Sequence, residues 1–292
     1  MNPDWQRIES ENPGLSVQSA NSIGEGWNSR AFVVNEELVF RFPKREENWD
    51  ELNREIEFLE SAAPVLPLAV PRYLKVVPDS IAAPHGYAVY QYLRGHALDL
   101  QLLSSERRAT AAADIASFLK VLHAFQPSRD LASRLPREDE RTVAQEYLSR
   151  AAQEIVPTLP LLEGSALLRE LETHLHTPGN FSFRRVVLHA DLSGDHILVE
   201  GDAVAGVLDF GDVNWGDPDY DFMYLFVDFG RAFVEEVARE YGHPDPDWLH
   251  HKVRYFAIAD QIGTILDGVG RALAGQQDAA WRRLKQLLSG PS

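Results

Sequence analysis

Apolar residues follow one spacing in the first third of this chain and another afterwards, and that segregation limits the folds open to it. From Ser22 to Phe42 the segment SIGEGWNSRAFVVNEELVFRF alternates apolar and polar positions, as strands with one buried face do. It reads as a strand, a glycine-containing turn and two more strands, the last pair joined at Asn35-Glu36-Glu37. Tyr73 to Val77 and Gly86 to Leu93 read as two further strands. Between these stretches Glu47 to Ala62 is helical, because Leu52, Ile56 and Leu59 recur at spacings of four and three and line one face. Pro64, Pro67 and Pro71 then mark a loop.

Beyond Arg94-Gly95 the spacing becomes that of helices. Ser104 to Phe125 places Ile115, Phe118, Leu119, Leu122 and Phe125 on one helical face, with Glu106 where the helix dipole favours negative charge. Further helices are expected near Asp139–Glu154, Gly164–His176, Asp219–Tyr241, Asp247–Leu273 and Gln277–Leu288. Only Val186–Leu188, Ile197–Glu200 and Ala203–Leu208 interrupt them with strand character, the last two joined through Gly201-Asp202. Strands and helices do not alternate, so the fold class is α+β. The expected organisation is a β-rich N-terminal lobe over residues 1–93 and a mainly helical lobe over residues 94–292, which carries a small hairpin.

With 28 Lys plus Arg against 44 Asp plus Glu, the net charge is 28 − 44 = −16. Such a charge repels nucleic acid and anionic membrane surfaces and attracts a cationic ligand. There is no cysteine, which excludes disulfides, a thiolate nucleophile and sulfur-built zinc sites. The first residues, MNPDWQRIESENPG, have neither the basic nor the apolar region of a signal peptide, and no stretch approaches the roughly 20 apolar residues of a membrane span. A cytoplasmic monomer is the expectation, with no nucleic-acid and no membrane partner.

The segment VVLHADLSGDHILVEGDAVAGVLDFGDVNWGDPDYDF, from Val186 to Phe222, concentrates the chemistry. His189-Ala190-Asp191 precedes Asp209-Phe210-Gly211 by eighteen residues, and each triplet ends a short apolar stretch. A phosphoryl-transfer site needs a carboxylate beside the attacking hydroxyl and further ligands for magnesium on the nucleotide phosphates. Asp191 and Asp209 are the candidates for those two tasks. HADLSGDH resembles the catalytic loop of kinase-like phosphotransferases, in which His-x-Asp is followed five residues later by Asn; that position is His196 here.

The wider strings, HADLSGDHIL and GVLDFGDVNWGDPDYDF together with IGEGWNSRAFVVNEELVFRFPK, resemble the aminoglycoside phosphotransferase family, most closely its 2''-phosphotransferase branch. The resemblance covers most of residues 20–225 and implies a bilobal protein-kinase-like fold. It further implies that Asp191 orients the acceptor hydroxyl and takes its proton, and that Ser193 lies close enough to touch the transferring phosphate. Asp209 would coordinate Mg2+, with His196 in the second ligand position or acting through a water, since magnesium prefers oxygen. Gly24 and Gly26 would form a phosphate-covering turn with Asn28 and Ser29 nearby. Arg41 stands where the family has a phosphate-contacting Lys, with Glu55 as its helix partner; Lys44 competes for that role. Tyr90 and Tyr92 lie in the purine-binding hinge segment and serve as purine-edge contacts or as packing aromatics.

The expected function is transfer of the γ-phosphoryl group of ATP or GTP to a hydroxyl of an aminoglycoside, which would confer resistance. The rivals are a kinase of macrolides or other hydroxylated small molecules and a catalytically silent nucleotide-binding module. Asp195, Asp228, Glu235, Glu236, Asp260 and Asp267 are available to meet ammonium groups, or are solvated surface charges. Trp248 and Trp281 either stack on a sugar or fill the core. Asp217 is expected to support the catalytic loop structurally.

Overall fold

The computed structural model describes residues 3–25, 28–271 and 274–289, the side chains of residues 25, 267–271 and 274 excepted. In chain order the elements are α1 (Trp5–Glu11), β1 (Ala20–Glu25), β2 (Ser29–Val34), β3 (Leu38–Pro43), α2 (Asn48–Ala62), β4 (Tyr73–Val77), β5 (Tyr87–Gln91) and β6 (His96–Ala97). There follow α3 (Ser105–Ala124), α4 (Arg129–Arg134), α5 (Glu140–Arg150), α6 (Leu161–His176), β7 (Val186–Leu188), β8 (Ile197–Glu200), β9 (Ala203–Val207) and β10 (Asn214–Gly216). Four helices close the chain: α7 (Met223–Phe229), α8 (Arg231–Tyr241), α9 (Pro246–Arg271) and α10 (Ala274–Ser289). The chain divides into two compact units, one of Met1–Asp99, Phe125–Leu135 and Asp195–Val213, the other of Leu100–Ala124, Pro136–Gly194 and Asn214–Ser292.

The first unit is built on a five-stranded antiparallel sheet in the order β1-β2-β3-β5-β4. Alternation along the strands sorts its residues between two faces, as the sequence pattern requires. Phe32, Val34, Phe40, Phe42, Tyr87 and Val89 bury one face with Ile8 of α1, where the Trp5 ring meets Phe32, Phe40 and Phe42 edge-on at 5.6, 5.7 and 6.0 Å. Leu52 and Ile56 of α2 pack with Ala88 of β5.

The stretch 195–213 joins this unit because its hairpin, β8 and β9, bonds to it along the backbone. Ala69 donates to the Ala205 carbonyl at 3.1 Å and accepts from the Val207 N–H at 2.8 Å. A Cβ on Gly206 would lie 2.8 Å from the Ala69 carbonyl oxygen, so glycine is required for this approach. Phe58 of α2 then packs against both Phe210 and Phe125.

The second unit is mainly helical. Its core gathers Leu167 and Leu171 of α6, Tyr255, Ile258 and Ile262 of α9, and Leu284 of α10. The single helix expected over Asp219–Tyr241 is three pieces: a 3₁₀ turn at Pro218–Phe222, then α7, then α8. Pro218 and the Asp217 carboxylate, which accepts the Asp219 N–H, start the first turn, and Gly230, at φ 80°, separates the two α-helices. The helix expected near Asp139–Glu154 changes to a π-turn over Ala151–Ile155. Among the described residues no helix is long and apolar enough to cross a membrane.

Candidate active site

In the first unit Arg41 is the centre of a charged network. It stands on β3 between Ala31 of β2 and Ala88 of β5. Those short neighbours leave room for a guanidinium among strands whose other positions carry large side chains. Its Nη1 donates to Glu55 Oε2 at 2.6 Å, its Nε to Ser29 Oγ at 2.9 Å and its Nη2 to Asp209 Oδ1 at 3.3 Å. The Glu55 side chain is 1% exposed, and its other oxygen accepts the Tyr73 hydroxyl at 3.0 Å. Burial raises the Glu55 carboxyl above its ordinary range although Arg41 pulls it down. For Arg41, burial opposes the charge but is outweighed by Glu55, Tyr73 and Asp209, so its pKa is raised. The fork geometry of arginine serves three acceptors at once, which an ammonium point charge does less well.

Asp209 takes a left-handed backbone, φ 60°, and its side chain is 45% exposed. One oxygen faces Arg41, and the other lies 3.6 Å from His196 Nε2. A second acid stands close by: desolvation first, then Asp209 and Glu51, raise the pKa of Asp212. Carboxylate oxygens in this number suit a hard divalent cation, and Asp209 fits magnesium directly. The imidazole of His196 fits it less well.

Asn28 donates to Glu51 Oε2 at 2.6 Å and Ser29 accepts from Arg41, so both expected phosphate-turn residues are tied to this network. Gly24 lies at an irregularity in the β1–β2 pairing, where a Cβ would meet open space. Gly26 lies outside the described residues. Tyr90 is buried with its ring 5.2 Å from that of Tyr73, and the Tyr92 N–H donates to the Glu37 carbonyl at 2.8 Å.

In the second unit the loop after β7 carries Asp191. His189 is fully buried, and its Nδ1 accepts the Asp191 N–H at 3.2 Å. Ala190 is left-handed at φ 67°. The Ser193 N–H donates to the Asp191 carbonyl at 2.9 Å. Asp221 fixes this backbone: Oδ2 accepts the His189 N–H at 3.0 Å and Oδ1 the Ala190 N–H at 2.7 Å. The support expected of Asp217 therefore comes from Asp221. Asp217 instead binds the buried Lys252 at 2.5 Å, and Asp219 binds it at 2.6 Å. The signal for this lies in DPDYDF, three acids spaced by two among bulky residues, which cannot all be solvated.

Asp228, an expected acceptor contact, holds the Gly194 N–H at 2.9 Å. Asp195 is exposed and belongs to the first unit. Glu235 pairs with Arg231 on the same helix at 2.6 Å, and Glu236 is half-buried beside it on α8. The side chain of Asp267 lies outside the described residues. Asp260 accepts the Tyr224 hydroxyl at 3.0 Å and the Gln261 amide at 2.7 Å. Trp248 packs closely against Gly179, and Trp281 packs against the helical core.

Comparison with known proteins adds to this geometry. The family model described as "Phosphotransferase enzyme family" matches residues 19–255. The GDP complex of aminoglycoside 2'-phosphotransferase IIIa superposes with a TM-score of 0.90 at 27% identity, over 98% of this chain and 97% of that one. The GDP and kanamycin complex of APH(2'')-IIIa gives 0.88 at 27% identity over 97% of each. A macrolide 2'-phosphotransferase from Brachybacterium faecium gives 0.73 at 21% identity, over 99% of this chain and 98% of that one, and shares the fold alone. The kinase-like fold expected from the strings at Val186–Phe222 is the fold of these proteins.

Proposed function

The chain belongs to the phosphotransferase enzyme family, and from that premise we propose that it moves the γ-phosphoryl group of a purine nucleoside triphosphate, ATP or GTP, onto a hydroxyl of an aminoglycoside. The observation that supports this most is Arg41, held on Glu55 and Ser29 with its Nη2 turned to Asp209. A cation braced in this way can grip a phosphate without reorganising, and preorganised charge supplies most of the catalysis in phosphoryl transfer.

Asp191 aligns the acceptor hydroxyl and receives its proton as the new oxygen–phosphorus bond forms. The bond from the γ-phosphorus to the bridging oxygen breaks, and the nucleoside diphosphate leaves. Arg41 holds the phosphates, and Ser193 touches the transferring group. Asp209, with His196 beside it, would hold magnesium, which would supply neutralisation of the phosphate charge. Acidic side chains meet the acceptor's ammonium groups, and the added phosphate would impair binding of the drug to its target.

The test is a panel of aminoglycosides and macrolides incubated with ATP and with GTP, followed by mass measurement of the products. One added phosphoryl group on an aminoglycoside is expected. Addition to macrolides alone moves the reading to the macrolide kinases, and nucleotide binding without turnover reduces it to a silent module. Asp191→Ala should abolish transfer, a loss of at least ~10³-fold, while nucleotide affinity measured by calorimetry stays within about twofold of wild type.

A further inference from the structure

We propose that Glu51 of α2 is a positioning residue for nucleotide binding, which latches the phosphate-covering turn through Asn28; the inference rests on the reading of that turn and of Arg41 as phosphate contacts. Glu51 Oε2 accepts the Asn28 side-chain amide at 2.6 Å in a partly buried bond. The Asn28 carbonyl accepts the Lys44 N–H at 2.8 Å, so side chain and backbone of this residue are both tied down. The next residue is held as well: Ser29 Oγ accepts Arg41 Nε at 2.9 Å, and Arg41 Nη1 donates to Glu55 Oε2 at 2.6 Å. Glu51 and Glu55 stand four positions apart and share one face of α2. That face therefore fixes two consecutive residues, Asn28 directly and Ser29 by way of Arg41.

The other oxygen of Glu51 lies against the charged network. A Cβ on Gly211 would stand 3.4 Å from Glu51 Oε1, 3.5 Å from Asp209 Oδ1 and 3.7 Å from Arg41 Nη2. The acid is thus a neighbour of the carboxylate proposed for magnesium and of the cation proposed for phosphate. Through its charge alone Glu51 opposes an incoming phosphate. Through the latch it favours one, because ordering a free side chain and its turn upon binding costs affinity, and a turn ordered beforehand avoids that cost. An amide bonded to an ionised carboxylate and partly shielded from water makes one of the stronger hydrogen bonds. The latch outweighs the repulsion, and the two effects separate on substitution.

Calorimetry with MgATP and with MgGTP, without acceptor, reads the latch. Glu51→Ala should raise the nucleotide Kd roughly 3- to 10-fold. Glu51→Gln keeps an oxygen to accept the Asn28 amide and discards the charge, so it should bind within about twofold of wild type or more tightly. Asn28→Ala leaves the charge in place and should lose at least as much as Glu51→Ala, while the double variant should lose no more than Asn28→Ala. In turnover the loss should fall on the nucleotide KM, with kcat and the acceptor KM within about twofold of wild type. The Lys44 amide, bonded to Asn28, should exchange at least about fivefold faster in Glu51→Ala.

An unchanged or lowered Kd in Glu51→Ala assigns the acid to charge alone and overturns the latch. Additive losses in the double variant, a loss in Glu51→Gln as large as in Glu51→Ala, or a loss confined to kcat overturn it too. Should Glu51→Ala fail to fold, Asn28→Ala and Glu51→Gln decide, because no loss in the first or a full loss in the second refutes the latch. Should the wild-type protein bind nucleotide but phosphorylate no acceptor, the proposed function fails and the latch still stands or falls on Kd. Should it bind neither nucleotide, unchanged exchange at Lys44 refutes the latch by itself.

Discussion

His174 on α6 is constrained from two directions. Its ring stacks on Tyr255 at a centroid separation of 3.4 Å, and its Nδ1 accepts the Asn180 side-chain amide at 3.1 Å. A proton on Nδ1 would cancel that bond and charge a buried ring. Burial first, then the charges of Lys252 and Arg141, push its pKa down to about 3. The unfolded chain protonates His174 near pH 6.5 while the folded one does not, so stability is full above that pH and is lost as pH falls from about 6.5 toward 3. Between pH 7 and pH 5 this one group should cost about 2 kcal/mol. Urea unfolding of wild type and His174→Gln at both pH values checks it: the variant should lose that much less on acidification, and parallel losses would refute the assignment. The sequence marks His174 only as a residue near a helix end; its neighbours across the unit create the effect.

The β2–β3 hairpin shows how far an element can be read in advance. The sequence places its turn at Asn35-Glu36-Glu37, and the structure closes the turn by the Glu37 N–H donating to the Val34 carbonyl at 3.1 Å. The turn needs φ of 55° at Asn35 and 56° at Glu36. Asn tolerates that region and here also bonds the Gln18 and Ser19 N–H groups through its side chain. Glu36 is exposed and has no such compensation, so Glu36→Gly, which creates the Asn-Gly pair favoured in such turns, should raise stability by about 0.5–1 kcal/mol. Denaturant titration against Glu36→Ala, expected to be near neutral, provides the measure. Helix α2 was legible for a similar reason, its apolar face being visible in the spacing. The piecewise build of Asp219–Tyr241 was not, because helical spacing survives across the Gly230 break while the backbone does not.

For the whole molecule, the charge of −16 predicts how association responds to salt. A polycationic acceptor is drawn by the summed field, which is screened over ~14 Å at 0.05 M and ~4 Å at 0.5 M ionic strength. The acceptor KM should therefore rise several-fold across that range, whereas the KM of the anionic nucleotide should hold or fall. Initial rates at matched saturation of the other substrate measure both. An acceptor KM that does not move would assign the charge to solubility alone.

The alternating and helical spacings, with the His-x-Asp and Asp-Phe-Gly strings, determined from sequence alone the α+β class, the strand-rich start and the helical remainder, and they supplied the candidates for the chemical side chains. These are local properties, set by neighbours a few positions away. Which carboxylate holds which amide was decided only in three dimensions. Asp209 reaches Arg41 across 168 positions, His123 reaches Asp221 across 98, and Lys252 gathers Asp217 and Asp219 from another helix. The physical reason is that a buried charge must find partners wherever the packed chain offers them, and separation along the chain places almost no limit on that choice.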